Sequence, residues 1–164
     1  MAGPGSESNI PEDSQARAGS QSRVATWDLV IPNAMERVGE ANRELEAFLE
    51  ASGVGPDGIF PATLAFEEVV TNVIKYSYDD DRPHDILVES RVEPGELILR
   101  VTDDGHEFDP LAARPPDLEK PIEERPIGGL GIHLLRRLAQ RVEYHRTSGK
   151  NVLTLSFSLA SGET

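Results

Sequence analysis

A glutamate and an asparagine lie one helical turn apart in the stretch FEEVVTNVIKY, residues 66–76. The apolar residues of this stretch recur at spacings of three and four, which predicts a buried helix. Glu68 and Asn72 fall together on one flank of the apolar stripe, whereas Glu67 falls on the far side. A carboxylate and an amide placed in this way can orient a water molecule or hold a hydrated Mg²⁺ through oxygen. On its own, the pair is more typical of an ordinary polar boundary on a solvated helix face.

A second candidate group follows an apolar strand in the stretch VTDDGHEFDP, residues 101–110. Asp103 ends the predicted strand, where its carboxylate could accept a hydrogen bond from an amino group such as the exocyclic amine of adenine. Gly105 permits a close approach or a positive φ, and Phe108 could form a wall against an aromatic ligand. The alternative is a plain acidic turn, because Asp and Gly dominate turns.

A third candidate group is the glycine run in IGGLGIHLL, residues 127–135. Gly128, Gly129 and Gly131 come just before an apolar-periodic helix, and free N–H groups at a helix start bind anions. The run is not a Walker loop, because no G-x-x-x-x-G-K-[ST] is present. Leu134 stands where a dinucleotide-binding G-x-G-x-x-G needs its third glycine. The alternative is a flexible hinge that leads into the helix.

Periodicity and turn residues predict the elements that must position these groups. The predicted strands cover residues 23–31, 86–92, 96–102, 142–147 and 151–159, and the predicted helices cover residues 34–51, about 61–78 and the segment from the glycine run to about 141. Pro94-Gly95 and Ser148-Gly149 are the predicted hairpin turns. Residues 105–126 contain five prolines and no periodicity, which indicates a long functional loop. Helices segregated from a mostly antiparallel sheet predict an α+β fold, a two-layer sandwich.

Length and composition limit the class of protein. The 164 residues are expected to form one domain, residues 23–160, after a flexible tail of Gly, Ser, Pro and polar residues at 1–22. No segment has the apolar length of a membrane span, and the chain has no cysteine, so we expect a cytoplasmic protein without membrane or disulfide. A net charge of -13 argues against nucleic-acid binding. An acidic protein that handles a polyphosphate needs a divalent cation or backbone donors to offset the repulsion.

The three groups together resemble a known set of sequence boxes. In order, E-x-x-x-N on a helix, D-x-G-x-x-F-D-P after a strand and G-x-G before a helix resemble the N, G1 and G2 boxes of the GHKL ATPases. This superfamily includes DNA gyrase B, heat-shock chaperone ATPases, sensor histidine kinases and MutL-type repair proteins. The resemblance covers roughly residues 24–158 and implies the Bergerat form of the two-layer sandwich, with helices on one face of the sheet. The chain resembles the bacterial anti-sigma factor serine/threonine kinase branch in its small size, in the F-D-P sequence of the second box and in its last strands.

The resemblance implies a role for each group of residues. Asn72 would ligate Mg²⁺ through its side-chain oxygen, and Glu68 would act as general base on the attacking hydroxyl. Asp103 would accept a hydrogen bond from the adenine amine, with Gly105 allowing the base to approach and Phe108 beside it.

The resemblance also implies a phosphate site and a lid. Gly129, Leu130 and Gly131, with the start of the following helix, would contact the phosphates of ATP. Residues 106–127 would form the ATP lid. ATP and Mg²⁺ are therefore the expected ligands, and Mg²⁺ also screens the triphosphate from an acidic protein.

The same branch implies partners. Its members hold a sigma factor inactive and phosphorylate an antagonist protein, of the STAS type, on Ser or Thr, and a homodimer is possible. Tyr76 and Glu107 depart from the branch: these kinases often carry His at the first position, and Glu107 replaces the second glycine of the fuller D-x-G-x-G form. Two alternatives remain open. One is a nucleotide-dependent binding module without kinase activity, and the other is a histidine-kinase-like ATPase acting in trans.

Overall fold

The computed structural model describes residues 23–112 and 129–160 of the chain. Over these ranges it contains five strands, β1 (Ala25–Pro32), β2 (Asp85–Glu93), β3 (Glu96–Asp103), β4 (Arg141–Thr147) and β5 (Lys150–Ser158), and three α-helices, α1 (Met35–Ala51), α2 (Pro56–Tyr76) and α3 (Gly129–Leu138). A short 3₁₀ turn covers Pro110–Ala112. The predicted tail at 1–22 and most of the predicted lid lie outside the described residues.

The strands form one sheet in the order β1-β2-β3-β5-β4, and every described pairing is antiparallel. Alternate residues of the strands are buried against the helices, as in β2, where Ile86, Val88 and Val92 are buried and their neighbours are not. The helices contribute residues such as Leu45 of α1 and Phe66 of α2 to the same core. This arrangement confirms the predicted α+β fold with an antiparallel sheet.

The two predicted hairpins form at the expected residues. Gly95 turns β2 into β3 with φ 80°, a left-handed conformation that favours glycine. Ser148 and Gly149 join β4 to β5 with φ 51° and 75°. Positive φ at both central residues is typical of the two-residue turns that match strand twist.

Helix α2 begins five residues earlier than the sequence predicts. Pro56 lies at its first turn, where a missing N–H costs nothing, and Gly55 precedes it as the N-cap. Pro61 therefore lies inside the helix. The extra turns extend α2 without moving Glu68 or Asn72 from the face that the sequence predicts.

Helix α3 includes part of the glycine run. It starts at Gly129, so Gly129 and Gly131 are helical residues of its first turn, and it ends at Leu138, three residues before the predicted end. The residues after Leu138 turn directly into β4, and the amide of Gln140 donates a hydrogen bond to the carbonyl of Ser156 across the sheet (2.8 Å). Sheet pairing thus ends the helix.

Candidate functional site

A cavity of about 310 Å³ lies between α2, α3 and the sheet. Most of its wall is apolar, from Val69, Val73, Val101, Ile132, Leu135 and Leu153. A small number of polar side chains converge on it, and these are Asn72, Tyr76, Ser77, Asp103, His106, Tyr144 and Asn151. An apolar cavity with a small number of placed polar groups is typical of a site for a small organic ligand.

Asp103, at the end of β3, is the buried carboxylate of this cavity, with 5% of its surface exposed. Its Oδ1 accepts two hydrogen bonds, from the Gly105 amide (2.9 Å) and from Asn151 Nδ2 (3.0 Å). Among the described residues nothing donates to its other oxygen. Burial raises the pKa of Asp103, and the two hydrogen bonds oppose that rise. One carboxylate oxygen is therefore left to accept a donor from a ligand.

Gly105 is required by the packing behind this carboxylate. A Cβ at this position would collide with the carbonyl and the Cβ of Ser77, at the end of α2, and would lie 2.8 Å from Asp103 Oδ1. The next amide, that of His106, donates to the Ser77 carbonyl (3.0 Å). In the structure the close approach at Gly105 is therefore to α2, and it holds the chain after β3 against the cavity.

Glu68 and Asn72 meet the start of α3. A Cβ built on Gly131 would lie 2.6 Å from Glu68 Oε2 and 3.4 Å from Asn72 Nδ2. Glu67, by contrast, is exposed. The structure thus brings Glu68, Asn72 and Gly131 together, and Asn72 lines the same cavity as Asp103. The partial positive charge of a helix N-terminus lies beside the carboxylate and the amide.

Replacing Gly131 with alanine is expected to separate folding from activity. Alanine favours a helix over glycine by about 1 kcal/mol, so the melting temperature should stay the same or rise. The new methyl group would displace the flexible end of Glu68, and the phosphoryl transfer that the family resemblance implies should fall at least about tenfold. Gly39→Ala is a matched control, because a Cβ at this helical position meets only the Arg43 side chain at 3.8 Å. An unchanged transfer rate in Gly131→Ala would contradict the claim that the position of Glu68 against Gly131 matters for the reaction.

The remaining predicted residues occupy the edges of the site. Phe108 lines the cavity and is 50% exposed, and Tyr76, one of the two departures, lines it with 45% exposed. Glu107, the other departure, is exposed and does not line the cavity. Gly129 and Leu130 are the first two residues of α3 and precede Gly131.

The sequence prediction missed three polar residues of the cavity, Ser77, Tyr144 and Asn151. A signal was present for Asn151. It occupies a buried position of β5 that shares a face with Leu153, Leu155 and Phe157. A polar residue in a buried, otherwise apolar alternation needs hydrogen-bond partners and indicates a function or a network.

A histidine connects the loop after α2 to the end of β3. The ring of His84 stacks on Tyr78 with centroids 4.1 Å apart. Its Nε2 lies 2.8 Å from Asp80 Oδ1 and its Nδ1 lies 3.1 Å from Asp104 Oδ1. The hydrogen bond to Asp80, and then that to Asp104, raise the pKa of His84 above its ordinary value. Asp104 is the residue next to Asp103, so this contact lies beside the cavity.

His84 is expected to stabilise the protein more at acidic than at alkaline pH. Its folded-state pKa is raised, so its contribution is complete below its ordinary pKa of about 6.5 and is lost as pH rises through the folded value. The difference in melting temperature between the wild type and His84→Asn should therefore be larger at about pH 5.5 than at about pH 8.5. Asp80, whose pKa is lowered to about 2, stays ionised over this range. A difference that grows with rising pH would contradict the assignment, and Asp81→Asn serves as the exposed control.

No helix within residues 23–112 and 129–160 is both long and apolar enough to cross a lipid bilayer.

Comparison with known proteins identifies the family. Residues 31–157 match the histidine kinase-like ATPase domain. The serine-protein kinase RsbW of Halalkalibacterium halodurans is 32% identical over 131 residues, which cover 76% of this chain and 78% of that protein. The serine/threonine-protein kinase BtrW of Bordetella bronchiseptica is 30% identical over 97 residues, which cover 59% of this chain and 68% of that protein.

A solved structure has the same fold. The RsbU and RsbW domains of a Mycobacterium tuberculosis protein align with a TM-score of 0.61 at 16% identity, over 82% of this chain and 32% of that one. The matched family domain extends over most of the chain. The chain therefore belongs to the histidine kinase-like ATPase domain family, among the serine/threonine-protein kinases of the RsbW and BtrW type.

Proposed function

We propose that the protein binds ATP with Mg²⁺ in the cavity between α2, α3 and the sheet and transfers the terminal phosphoryl group to a serine or threonine of an antagonist protein. The observation that carries the proposal is the layout of the cavity. Asp103, a carboxylate with one oxygen to which no described residue donates, lies on the same apolar cavity as Asn72. Asn72 in turn adjoins Glu68 and the first turn of α3.

The adenine base fits the apolar part of the cavity. Aliphatic side chains such as Val73, Val101 and Leu153 line it and suit the faces of a flat aromatic ring. The free oxygen of Asp103 supplies the acceptor that the exocyclic amine of adenine requires. Phe108, half exposed beside the same cavity, gives an aromatic edge for the base.

The polyphosphate fits the end of the cavity at α3. Gly129, Leu130 and Gly131 form its first turn, where backbone N–H groups have no helical partner and attract anions. Mg²⁺ prefers one or two protein oxygens together with water and phosphate oxygens, and the amide of Asn72 is placed to provide one of them. The cation supplies neutralisation of the phosphate charge, which the acidic chain would otherwise oppose.

Glu68 is the general base of the proposed reaction. Its carboxylate lies beside Gly131 and Asn72, next to the expected position of the terminal phosphate. There it can accept the proton of an incoming serine or threonine hydroxyl as that oxygen attacks the terminal phosphorus of ATP, while the bond from this phosphorus to the bridging oxygen breaks and ADP leaves. A partly exposed position leaves it accessible to the side chain of a protein substrate.

The partners follow from the same branch of the family. We propose that the protein acts in the cytoplasm, holds a sigma factor inactive, and is counteracted by a STAS-type antagonist that it phosphorylates. A homodimer is the proposed assembly. The family membership and the kinase relatives support this proposal.

A phosphorylation assay with a defined product tests the proposal. The purified protein is incubated with radiolabelled ATP, Mg²⁺ and candidate STAS-type proteins, and the modified residue is mapped by mass spectrometry. We expect an acid-stable phosphoserine or phosphothreonine on the antagonist. An acid-labile product would favour the histidine-kinase-like alternative, and nucleotide binding without any transfer would favour the binding module.

A further inference from the structure

The short 3₁₀ turn after the F-D-P sequence forms part of the cavity wall. It covers Pro110–Ala112 and directly follows Asp109. Pro110 is the buried residue of this turn, and it lines the cavity. A wall made by so short a turn is only as well placed as the contacts that hold the turn, so the partners of its residues define how firmly the wall is formed.

Side chains hold both backbone groups of Leu111, the residue after Pro110. Its amide donates to Asp109 Oδ1 (2.8 Å), and its carbonyl accepts from Arg136 Nη2 (2.7 Å). The first contact lies within the turn itself, whereas Arg136 belongs to α3. Hydrogen bonds in which one partner is ionised are stronger than those between neutral groups. The turn is therefore connected to α3 by a short, charged hydrogen bond.

Arg136 is well placed on α3 to make this connection. It follows Leu135, which is 2% exposed and lines the cavity together with Ile132 of the same helix. Arg136 itself is exposed and is not a lining residue. Its hydrogen bond therefore joins two parts of the wall, the turn at Pro110 and the helix, from outside the cavity.

We propose that Arg136 is a positioning residue for the nucleotide: by holding the carbonyl of Leu111 it keeps the turn at Pro110 against α3, so that this part of the cavity wall is formed before the ligand binds. The inference rests on the proposed function, since it takes this cavity as the nucleotide site. It assigns part of the affinity to a side chain that does not itself contact the ligand.

The expected effect follows from the strength of one hydrogen bond. Without Arg136 the turn occupies the wall in only a fraction of the molecules, and the apparent affinity falls by that fraction. A net hydrogen bond is worth about fivefold in such an equilibrium, which sets the size of the loss. The loss should fall on binding and not on chemistry, because Glu68 meets α3 at Gly131, in the first turn of the helix.

The positive charge of Arg136 offers a different explanation that the experiment must separate. Arg136 and Arg137 are the two cations in the last turn of α3, and either could attract an anionic nucleotide at a distance. Arg137 is also exposed, and its side chain points about 100° around the helix from that of Arg136. Arg137→Met is therefore a matched control, because it removes the same charge without removing the donor to Leu111. Salt screens an attraction through charge alone.

The experiment is calorimetric binding of ADP with Mg²⁺ at about 50 mM and about 500 mM salt, a range that shortens the screening length severalfold. Arg136→Met keeps the apolar stem of the side chain and removes its donors. We expect it to bind ADP about fivefold more weakly than the wild type at both salt concentrations. Arg137→Met should stay within about twofold of the wild type at the higher salt concentration.

Steady-state kinetics of phosphoryl transfer give a second readout. In Arg136→Met the KM for ATP should rise about fivefold while kcat stays within about twofold of the wild type, the pattern expected when only binding is weakened. A general loss of folded structure would instead lower the amount of active protein and hence kcat. Melting temperatures of both arginine variants check that the fold is intact.

A double-mutant cycle tests whether the effect passes through the turn. Asp109→Ala releases the amide of Leu111, whereas Arg136→Met releases its carbonyl. If both side chains act by holding this one residue, the double variant should lose much less ADP affinity than the product of the two single losses. Independent sites would give the full product.

Three results would overturn the positioning role and leave the nucleotide site standing. They are an ADP affinity in Arg136→Met equal to that of the wild type, equal losses in Arg136→Met and Arg137→Met that vanish at the higher salt concentration, and a cycle whose losses multiply. If the wild type itself does not bind ADP, the proposed function is contradicted and this inference falls with it.

Discussion

Replacing Glu68 with glutamine is expected to lower phosphoryl transfer by about 10²–10⁴-fold, the usual contribution of a general base. Glutamine has the same shape but cannot accept the proton of the attacking hydroxyl. The affinity for ADP should stay within about threefold of the wild type, because Glu68 is not among the residues that line the cavity. Single-turnover transfer to the antagonist and calorimetric binding of ADP measure the two effects separately.

Glu67 provides the matched control for this experiment. It precedes Glu68 on the same helix but is exposed, so Glu67→Gln should transfer at the wild-type rate. A wild-type rate of phosphoryl transfer in Glu68→Gln would show that Glu68 is not the general base. A loss of ADP affinity in parallel with the rate would indicate a structural role for the carboxylate instead.

Replacing Asp103 with asparagine is expected to reverse the nucleotide preference. The Gly105 amide and Asn151 Nδ2 would keep the amide oxygen of the new side chain on their side. Its NH₂ group would then face the cavity and meet the amine of adenine, so that two hydrogen-bond donors would face each other. The 6-carbonyl of hypoxanthine would instead accept a hydrogen bond from this NH₂ group. We expect the affinity for ADP to fall by about 10²-fold and IDP to become the tighter ligand, since an unmatched buried donor adds to the lost hydrogen bond.

Asp104→Asn is the control for this reversal. Asp104 neighbours Asp103 in the chain, but it is exposed and its carboxylate contacts His84. This variant should keep the wild-type preference for ADP. If Asp103→Asn also kept the preference for ADP, with the fold intact by circular dichroism, then a group other than Asp103 would recognise the base.

Local sequence patterns predicted the parts of the site that depend on local geometry. Helical periodicity alone places Glu68 and Asn72 on one flank, and the end of an apolar strand places Asp103 at a turn. The five strands, the three helices and the family were confirmed for the same reason. The roles of Glu68 and Asn72 stay predictions until the variants are measured.

The sequence did not reveal the contacts that depend on the pairing of strands far apart in the chain. Asn151 reaches Asp103 through the register of two strands, 48 residues apart in the chain, and no local pattern encodes that distance. The start of α2 was misplaced because prolines usually break helices, whereas Pro56 begins this one and Pro61 is accommodated within it. The lid at residues 106–127 stays a prediction, because the described residues include only its first part.

The most direct test of the account is a titration of the ¹⁵N-labelled protein with ADP and Mg²⁺, followed by amide chemical shifts. The account predicts the largest shifts at Phe108, which lines the cavity, and at Gly105 and Gly131, which lie against the lining residues Asp103 and Asn72. Amides at the far edge of the sheet, such as Thr26 and Asp28 of β1, should not move. Shifts concentrated on β1, or no shifts at saturating ADP, would contradict the central claim that this cavity is the nucleotide site.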